Sequence, residues 1–458
     1  MNGIYEFLSM LFAELSKASI QYCVLRNWHT LPEVVGNDVD LWVAAEDGIR
    51  FEEILYKVAQ KLGWRLARRL YWLGYPGEGL FVFVKLQTRE YIMIDTYRHL
   101  AWKGLKYVEE DFLYKNACPH EKGFRVLKPG AEAVCLVMKE LLFEGGVRAR
   151  YYERIRDLVR TDKNRFIEGL MDVLNRKMTL EILRLILSGK WNQLKRLRWR
   201  LILKLATRRL VRTPLITASL CMRHFYLRAK ERVQPWGGFL LVLIGPDGAG
   251  KTTIAKALLK SPFIKRLFSA GVYIYRRFPL FPELKTFLPS FLKRRLSPSL
   301  NLTTGMREDE APAGIVRCTL YLLYYGLEYF LGRIWLWKVS KRGNRIIVFD
   351  RYWYEFIFQR WYQRCPKFLL NLLGILAAKP DALIFLDVTP EVAYKRKREK
   401  PLTEIQRLHR LCKETIVRSP NGYTLRTNEI DQAVRKLEEI IVEQLTERSL
   451  SRMTITPR

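Results

Sequence analysis

The stretch 239–260, FLLVLIGPDGAGKTTIAKALLK, leaves the chain around it little choice of fold. Its six apolar residues, Phe239–Ile244, predict a short buried strand. The strand breaks at Gly245 into a glycine-rich loop, and helix-favouring residues follow from Thr252. Strand, G-x-x-x-x-G-K-T loop and helix in that order form the setting of a phosphate-binding loop. Gly245, Gly248 and Gly250 let the backbone curl so that its N–H groups face a phosphate chain, and the helix N-terminus adds favourable partial charge. Gly245, Gly248, Ala249, Gly250, Lys251, Thr252 and Thr253 are therefore the expected contacts of a nucleoside triphosphate. Lys251 reaches the β- and γ-phosphates, and the Thr252 hydroxyl completes a magnesium shell.

A chain of 458 residues has room for two or three domains with cores of their own. A net charge of +33 favours a polyanionic partner, whether nucleic acid, an anionic membrane surface or a phosphorylated substrate. Basic, solvated helices without a partner would give the same number. Seven scattered cysteines with no C-x-x-C pair argue against a disulfide framework or a zinc site and suit a reducing cytoplasm. The first twenty residues carry Glu6 and Glu14 and read as an amphipathic helix, not a secretory leader. No apolar run reaches the roughly 18 residues of a spanning helix. The expected location is cytoplasmic, with peripheral contact at the inner face of a membrane left open.

Near the N-terminus, QYCVL (21–25) predicts a strand, and GNDVDLWV (36–43) a second. Asp38 and Asp40 alternate with apolar residues, so both carboxylates leave one face of a strand. Asp95, in YIMIDTY, ends another β-like run. Three such acids can share a divalent metal. This arrangement resembles the metal site of the nucleotidyltransferase-fold superfamily. Members usually carry a Gly-Ser pair on the preceding turn, where this chain reads Leu25-Arg26-Asn27-Trp28. Three readings stay open: a catalytic nucleotidyltransferase, a domain keeping the carboxylates only for metal or substrate binding, and surface acids at a strand end.

From residue 127 the pattern turns helical. Residues 182–230 contain no Asp or Glu but thirteen Lys and Arg, interleaved with Leu, Ile and Trp. Such helices suit an anionic lipid surface, a phosphate backbone, or plain packing with cations on the solvated side.

Beyond the glycine-rich loop, GVYIY (271–275) predicts a strand ending at Arg276 and Arg277, both candidates to meet an anionic acceptor. Residues 279–314 read as a basic loop region. A long aromatic helix follows, whose Tyr324, Tyr325, Glu328 and Tyr329 belong either to the core or to a substrate pocket. RIIVFDRY (345–352) predicts a buried strand ending in Asp350, a magnesium or acceptor ligand, and Arg351, a phosphate clamp. Arg396, Lys397 and Arg398, in EVAYKRKREK, are placed to close over the phosphates, or form an ordinary basic helix end.

GPDGAGKTT, VFDRY and LDVTPEVAYKRKRE together resemble the thymidylate kinase family of P-loop nucleoside-monophosphate kinases, over roughly 238–445. The resemblance implies a parallel sheet of about five strands flanked by helices, with magnesium–ATP on the glycine-rich loop. It places Asp247 at the acceptor's sugar hydroxyl, Arg351 near the acceptor phosphate, and Arg396 and Arg398 in a lid. The chain departs from the family at Arg277-Phe278-Pro279, where an Arg-Glu-Pro turn is usual, and in WYEFIFQRWYQ after the DR pair. LRNW, LPE and GNDVDLWV ahead of a helical middle and GPDGAGKTT also look like a two-domain thymidylate kinase-like group associated with surface-polysaccharide gene clusters. That likeness implies a sugar, glycan or glycolipid acceptor.

The expected architecture is α/β throughout. A nucleotidyltransferase-like α+β domain spans 1–126, a basic helical region 127–234, and a thymidylate kinase-like domain 235–458. The expected activity is ATP- and magnesium-dependent phosphoryl transfer to a nucleoside monophosphate or a sugar- or glycolipid-type acceptor. The rivals are a nucleic-acid end-processing enzyme and a non-catalytic, nucleotide-gated membrane adaptor.

Overall fold

The computed structural model of the chain describes residues 3–233, 238–278, 280–282, 314–341, 344–426 and 429–453. Most of the turn expected at 235–238 and of the basic loop expected at 279–314 lies outside the described residues. Two compact units emerge: Met1–Val233 with Leu445–Arg458, and Gln234–Gln444.

The first unit opens with the helix Gly3–Lys17, whose buried Phe7, Leu8, Leu11, Phe12 and Leu15 recur at three- and four-residue spacing. Its strands are β1 (Tyr22–Val24), β2 (Val39–Val43), β3 (Arg65–Leu70), β4 (Gly79–Lys85), β5 (Glu90–Tyr97), β6 (Ala101–Trp102), β7 (Leu105–Lys106), β8 (Ala117–Pro119) and β9 (Arg125–Leu127). Seven of them form a mixed sheet in the order β3-β4-β5-β2-β1-β9-β8, and β6 pairs with β7 alone. The parallel pairing of β2 and β5 sets Asp40 directly opposite Asp95. The helices between 129 and 233 belong to this same unit. Pro129–Lys139 buries residues on nearly every side, because Val134, Leu136, Val137 and Met138 share one core with Cys23, Trp42 and Leu127 of the sheet.

The second unit holds β10 (Phe239–Ile244), β11 (Ala270–Tyr275), β12 (Arg345–Asp350), β13 (Ala382–Leu386) and β14 (Gly422–Leu425). They form one five-stranded sheet in the order β11-β12-β10-β13-β14, and every pair is parallel. Strands covered on both faces have no solvated side to mark with polar residues, which is why FLLVLI and ALIFL run apolar without alternation. The helix Ile315–Lys341 gives Tyr329 to the core, where it packs with Phe278, Tyr352 and Phe356. Glu328 is fully buried and accepts the backbone N–H groups of Leu280 and Phe281, at 3.3 and 3.2 Å. Tyr329 and Glu328 are thus framework residues. Strand β10 lies at the centre of the sheet, so its loop opens where the carboxyl ends of β12 and β13 meet it, the usual place for a ligand in an open α/β sheet.

Candidate functional site

The loop after β10 is shaped by its glycines at two places. Gly248 has φ of +87°, and a Cβ there would stand 2.3 Å from the Ala393 carbonyl oxygen. Gly250, also at +87°, caps the helix Lys251–Lys260. Both positions need a residue without a side chain. The loop and its neighbours line a cleft of about 450 Å³ that includes Lys251, Thr252, Asp350, Arg351 and Arg396.

Lys251 is buried, and its Nζ donates to the carbonyls of Gly245 at 2.8 Å and Pro246 at 2.9 Å. Burial and the neighbouring Arg351 push its pKa down to about 8, against the pull of Asp350 and Asp247. Thr252 Oγ1 lies 3.4 Å from Asp350 Oδ2 and 3.2 Å from the Tyr273 hydroxyl, which itself donates to Asp350 at 3.1 Å. Asp350 is 1% exposed, and its Oδ1 has no hydrogen bond among the described residues. A hydroxyl beside a carboxylate with an uncommitted buried oxygen is a hard-oxygen donor set that fits magnesium.

Arg351 organises the other wall. It sits at φ of +72° and Tyr352 at +55°, two left-handed residues in succession without glycine. Such conformations cost of order 1–3 kcal/mol each and persist where the surroundings over-determine them. Arg351 donates to both oxygens of Glu355, at 2.7 and 3.0 Å, and to Asp247. Burial alone would raise the Asp247 pKa, but Arg351, Lys251 and Lys400 together hold it below the ordinary carboxylate value. Lys400 reaches Asp247 at 3.6 Å.

Lys251, Thr252, Asp247, Asp350, Arg351 and Arg396 therefore converge on one cleft, with Gly248, Ala249, Gly250 and Thr253 along its floor. Gly245 stands at its edge through its carbonyl bond to Lys251. Arg398 is not among the lining residues: the helix Pro390–Arg396 stops one turn short, Lys397 turns extended, and Lys397 lines the cleft instead. Arg277 is committed elsewhere, 3.5 Å from Glu328 and stacked on Tyr325. Glu355, Lys400 and Tyr273 escaped the sequence reading. Glu355 is one helical turn beyond Arg351, a spacing that could have flagged it.

The first unit brings Asp38, Asp40 and Asp95 together, with one oxygen of each within 4.8 Å of the others. Asp40 is chelated by Arg26, at 2.6 and 3.1 Å, and also accepts from Lys139 at 3.2 Å. Asp95 is held by the Trp72 indole at 2.7 Å and by the Tyr97 hydroxyl. Burial, then the Asp40 charge, raises the Asp95 pKa to about 7. Asp38 is raised for the same two reasons. Three close carboxyls whose mutual repulsion is incompletely relieved fit a divalent cation, although Arg26 and Lys139 already engage Asp40. His29, His99 and His120 are not among the ligands.

No family model matches the chain. A probable thymidylate kinase of Staphylothermus marinus is 26% identical over 216 residues, spanning 45% of this chain and 96% of that protein. Over that stretch the chain is similar to a thymidylate kinase. A solved thymidylate kinase from Ehrlichia chaffeensis aligns over 45% of this chain and 99% of its own length, at 18% identity and a TM-score of 0.29.

Proposed function

We propose that the second unit is an ATP- and magnesium-dependent phosphotransferase that moves the γ-phosphoryl group onto an acceptor that already carries a phosphate, a nucleoside monophosphate first. The observation that carries this reading is Arg351, chelating Glu355 and bonded to Asp247 in the cleft of the glycine-rich loop. An acceptor oxygen attacks the γ-phosphorus in line, the bond to the β–γ bridging oxygen breaks, and ADP leaves. A hydroxyl acceptor would need a base to take its proton. Asp247 is held anionic below its usual pKa by Arg351, Lys251, Lys400 and Lys397, and Glu355 is gripped by Arg351, so neither is an effective base. A phosphate oxygen is already deprotonated and needs none. Lys251, Arg351 and Arg396 would bind and orient the transferring and accepting groups, since such transfers depend on positioning and charge stabilisation. Magnesium at Thr252 and Asp350 would supply charge neutralisation on the phosphates.

The test is transfer of label from γ-labelled ATP to dTMP, to a sugar phosphate and to a glycolipid, with Lys251→Ala as control. Label on dTMP that disappears in Lys251→Ala supports the reading. Label only on an unphosphorylated sugar or glycolipid hydroxyl would overturn the acceptor argument, and unchanged transfer by Lys251→Ala would overturn the site.

A further inference from the structure

The stretch 182–230, which has no Asp or Glu, takes in the helix Arg198–Arg212 and most of the helix Pro214–Val233, whose one acid is Glu231 near its end; the inner and outer sides of both differ sharply. Inward, Leu201 and Leu205 are fully buried and Arg209 is nearly so. The inward arginines cap backbone carbonyls: Arg208 donates to Leu174 at 2.7 Å and Met171 at 2.8 Å, and Arg209 to Lys106 at 2.8 Å. In the second helix, Thr217 and Leu220 are buried. Gly104 lets that helix approach closely, because a Cβ there would lie 2.5 Å from the Cys221 nitrogen. Both helices are therefore fixed from below.

Their outer sides are apolar where a solvated surface would be polar. Trp199 is 73% exposed, Leu203 65% and Leu210 55%. At 100° per residue these three fall within about 40° of arc, a single stripe. Leu215, Met222 and Tyr226, at 85%, 67% and 65% exposed, form a second stripe about as narrow. The same wheel sets Arg200 about 60° and Lys204 about 100° from the edge of the first stripe, and Arg223 and Lys230 within about 60° of the second. Arg200 reaches the Glu181 carboxylate, which lies just before the acid-free stretch, at 3.4 Å.

We propose that these two outer faces dock the protein on an anionic lipid bilayer, the apolar stripes entering the headgroup boundary and the flanking cations meeting lipid phosphates. Charge complementarity selects this occupant: the two helices carry many Lys and Arg against one acid of their own, Glu231, and a cation-rich surface fits an anionic partner. Aliphatic Leu203, Leu210, Leu215 and Met222 gain nothing on a nucleic-acid backbone, whereas Leu, Trp and Tyr among Lys and Arg make up an interfacial helix. No helix among the described residues is long and apolar enough to cross a membrane, so contact is with the surface. The inference goes beyond the phosphotransferase reading and does not depend on it.

The experiment is flotation of the full chain with phosphatidylcholine vesicles, with and without phosphatidylserine, at near-physiological salt. The expected result is co-flotation only with the anionic vesicles. Leu203→Ser with Met222→Ser should weaken binding about tenfold or more, and Lys204→Gln with Lys230→Gln about 30-fold. All four positions are surface ones outside the cleft, so ATP binding and circular dichroism should be unchanged. Quenching of tryptophan fluorescence by acyl-brominated lipid should fall in Trp199→Phe. No co-flotation with anionic vesicles would overturn the proposal, as would equal flotation of the Leu203→Ser, Met222→Ser variant. So would a result in which those substitutions changed only self-association or DNA binding.

Discussion

Replacing Arg351 by Met tests whether the guanidinium is a structural keystone of the cleft as well as a phosphate ligand. The side chain is 7% exposed and bonded to two carboxylates, Asp247 and Glu355, with Asp350 adjacent in sequence. Removing one partner of a buried ion pair costs about 3–5 kcal/mol, because a charge is left behind without compensation. Lys400, 3.6 Å from Asp247, and Gln359, which donates to Glu355 at 2.6 Å, remain in place and bring the figure to the lower end, about 3 kcal/mol. With a urea slope of about 2–3 kcal/mol/M, the midpoint of the second unit should fall by roughly 1 M. Hydrogen exchange resolved to β10 and β12 across a urea series reads that unit separately from the first. Two controls sharpen the reasoning. Arg351→Gly should lose less than Arg351→Met by about 1–2 kcal/mol, because Gly relieves the left-handed backbone at φ +72°. Asp247 has a depressed pKa in the fold, so its contribution is complete above the usual carboxylate range and fades as the pH falls through the folded value. The gap between wild type and Arg351→Met should therefore narrow below about pH 4. An Arg351→Met midpoint at pH 7 indistinguishable from wild type would refute the argument.

Other consequences can be checked singly. Gly248→Ala forces a Cβ toward the Ala393 carbonyl at a positive φ and should abolish ATP binding measured by calorimetry. Lys251 titrates near 8, so ATP affinity of the wild type should fall as the pH rises through that value, while Lys251→Arg should bind with no such inflection. Asp95 is raised to about 7, so the fold holds its proton more tightly than the unfolded chain does. The first unit should lose stability between about pH 4 and 7, and Asp95→Asn should flatten that slope in thermal melts. A divalent cation at Asp38, Asp40 and Asp95 should offset the loss at pH 8 with manganese or magnesium, and melts unmoved by either ion would remove the metal reading.

What the sequence disclosed was local chemistry. The glycine-rich loop is a strand, a turn and a helix read in one window, although the close approach of the Ala393 carbonyl to Gly248 lies outside it. Asp38 and Asp40 were legible by alternation, and Asp95 by its place at the end of a β run. That Asp95 lies opposite Asp40 follows from a parallel pairing between strands some fifty residues apart, which no local pattern encodes. Strand β3, RLARRL, carries three arginines and no clean alternation, so it reads as polar until Arg69 is seen to stack on Tyr71 and Phe81. Lys400 was hidden for a different reason: extending the helix past Arg396 points the wrong residues at the cleft, whereas the chain turns extended at Lys397.

Charge balance separates the two acidic sites. In the second unit Asp247, Asp350 and Glu355 face Lys251, Arg351 and Lys400, with Arg276 3.9 Å from Glu355 and Lys397 also acting on Asp247, so cations outnumber carboxylates. That surplus suits a triphosphate, and Arg396 and Lys397 on the facing segment also line the cleft. Closure of that segment over the phosphates would then be driven by the substrate's own charge. In the first unit Asp38, Asp40 and Asp95 face Arg26 and Lys139, with Arg150 also acting on Asp38, yet burial and the carboxylates' mutual repulsion still raise Asp38 and Asp95. Arg26, just after β1, chelates Asp40. A divalent ion would have to share Asp40 with that guanidinium. Arg26→Ser should therefore strengthen manganese binding if the two cations compete for the same oxygens, and weaken it if Arg26 holds the three carboxylates in place.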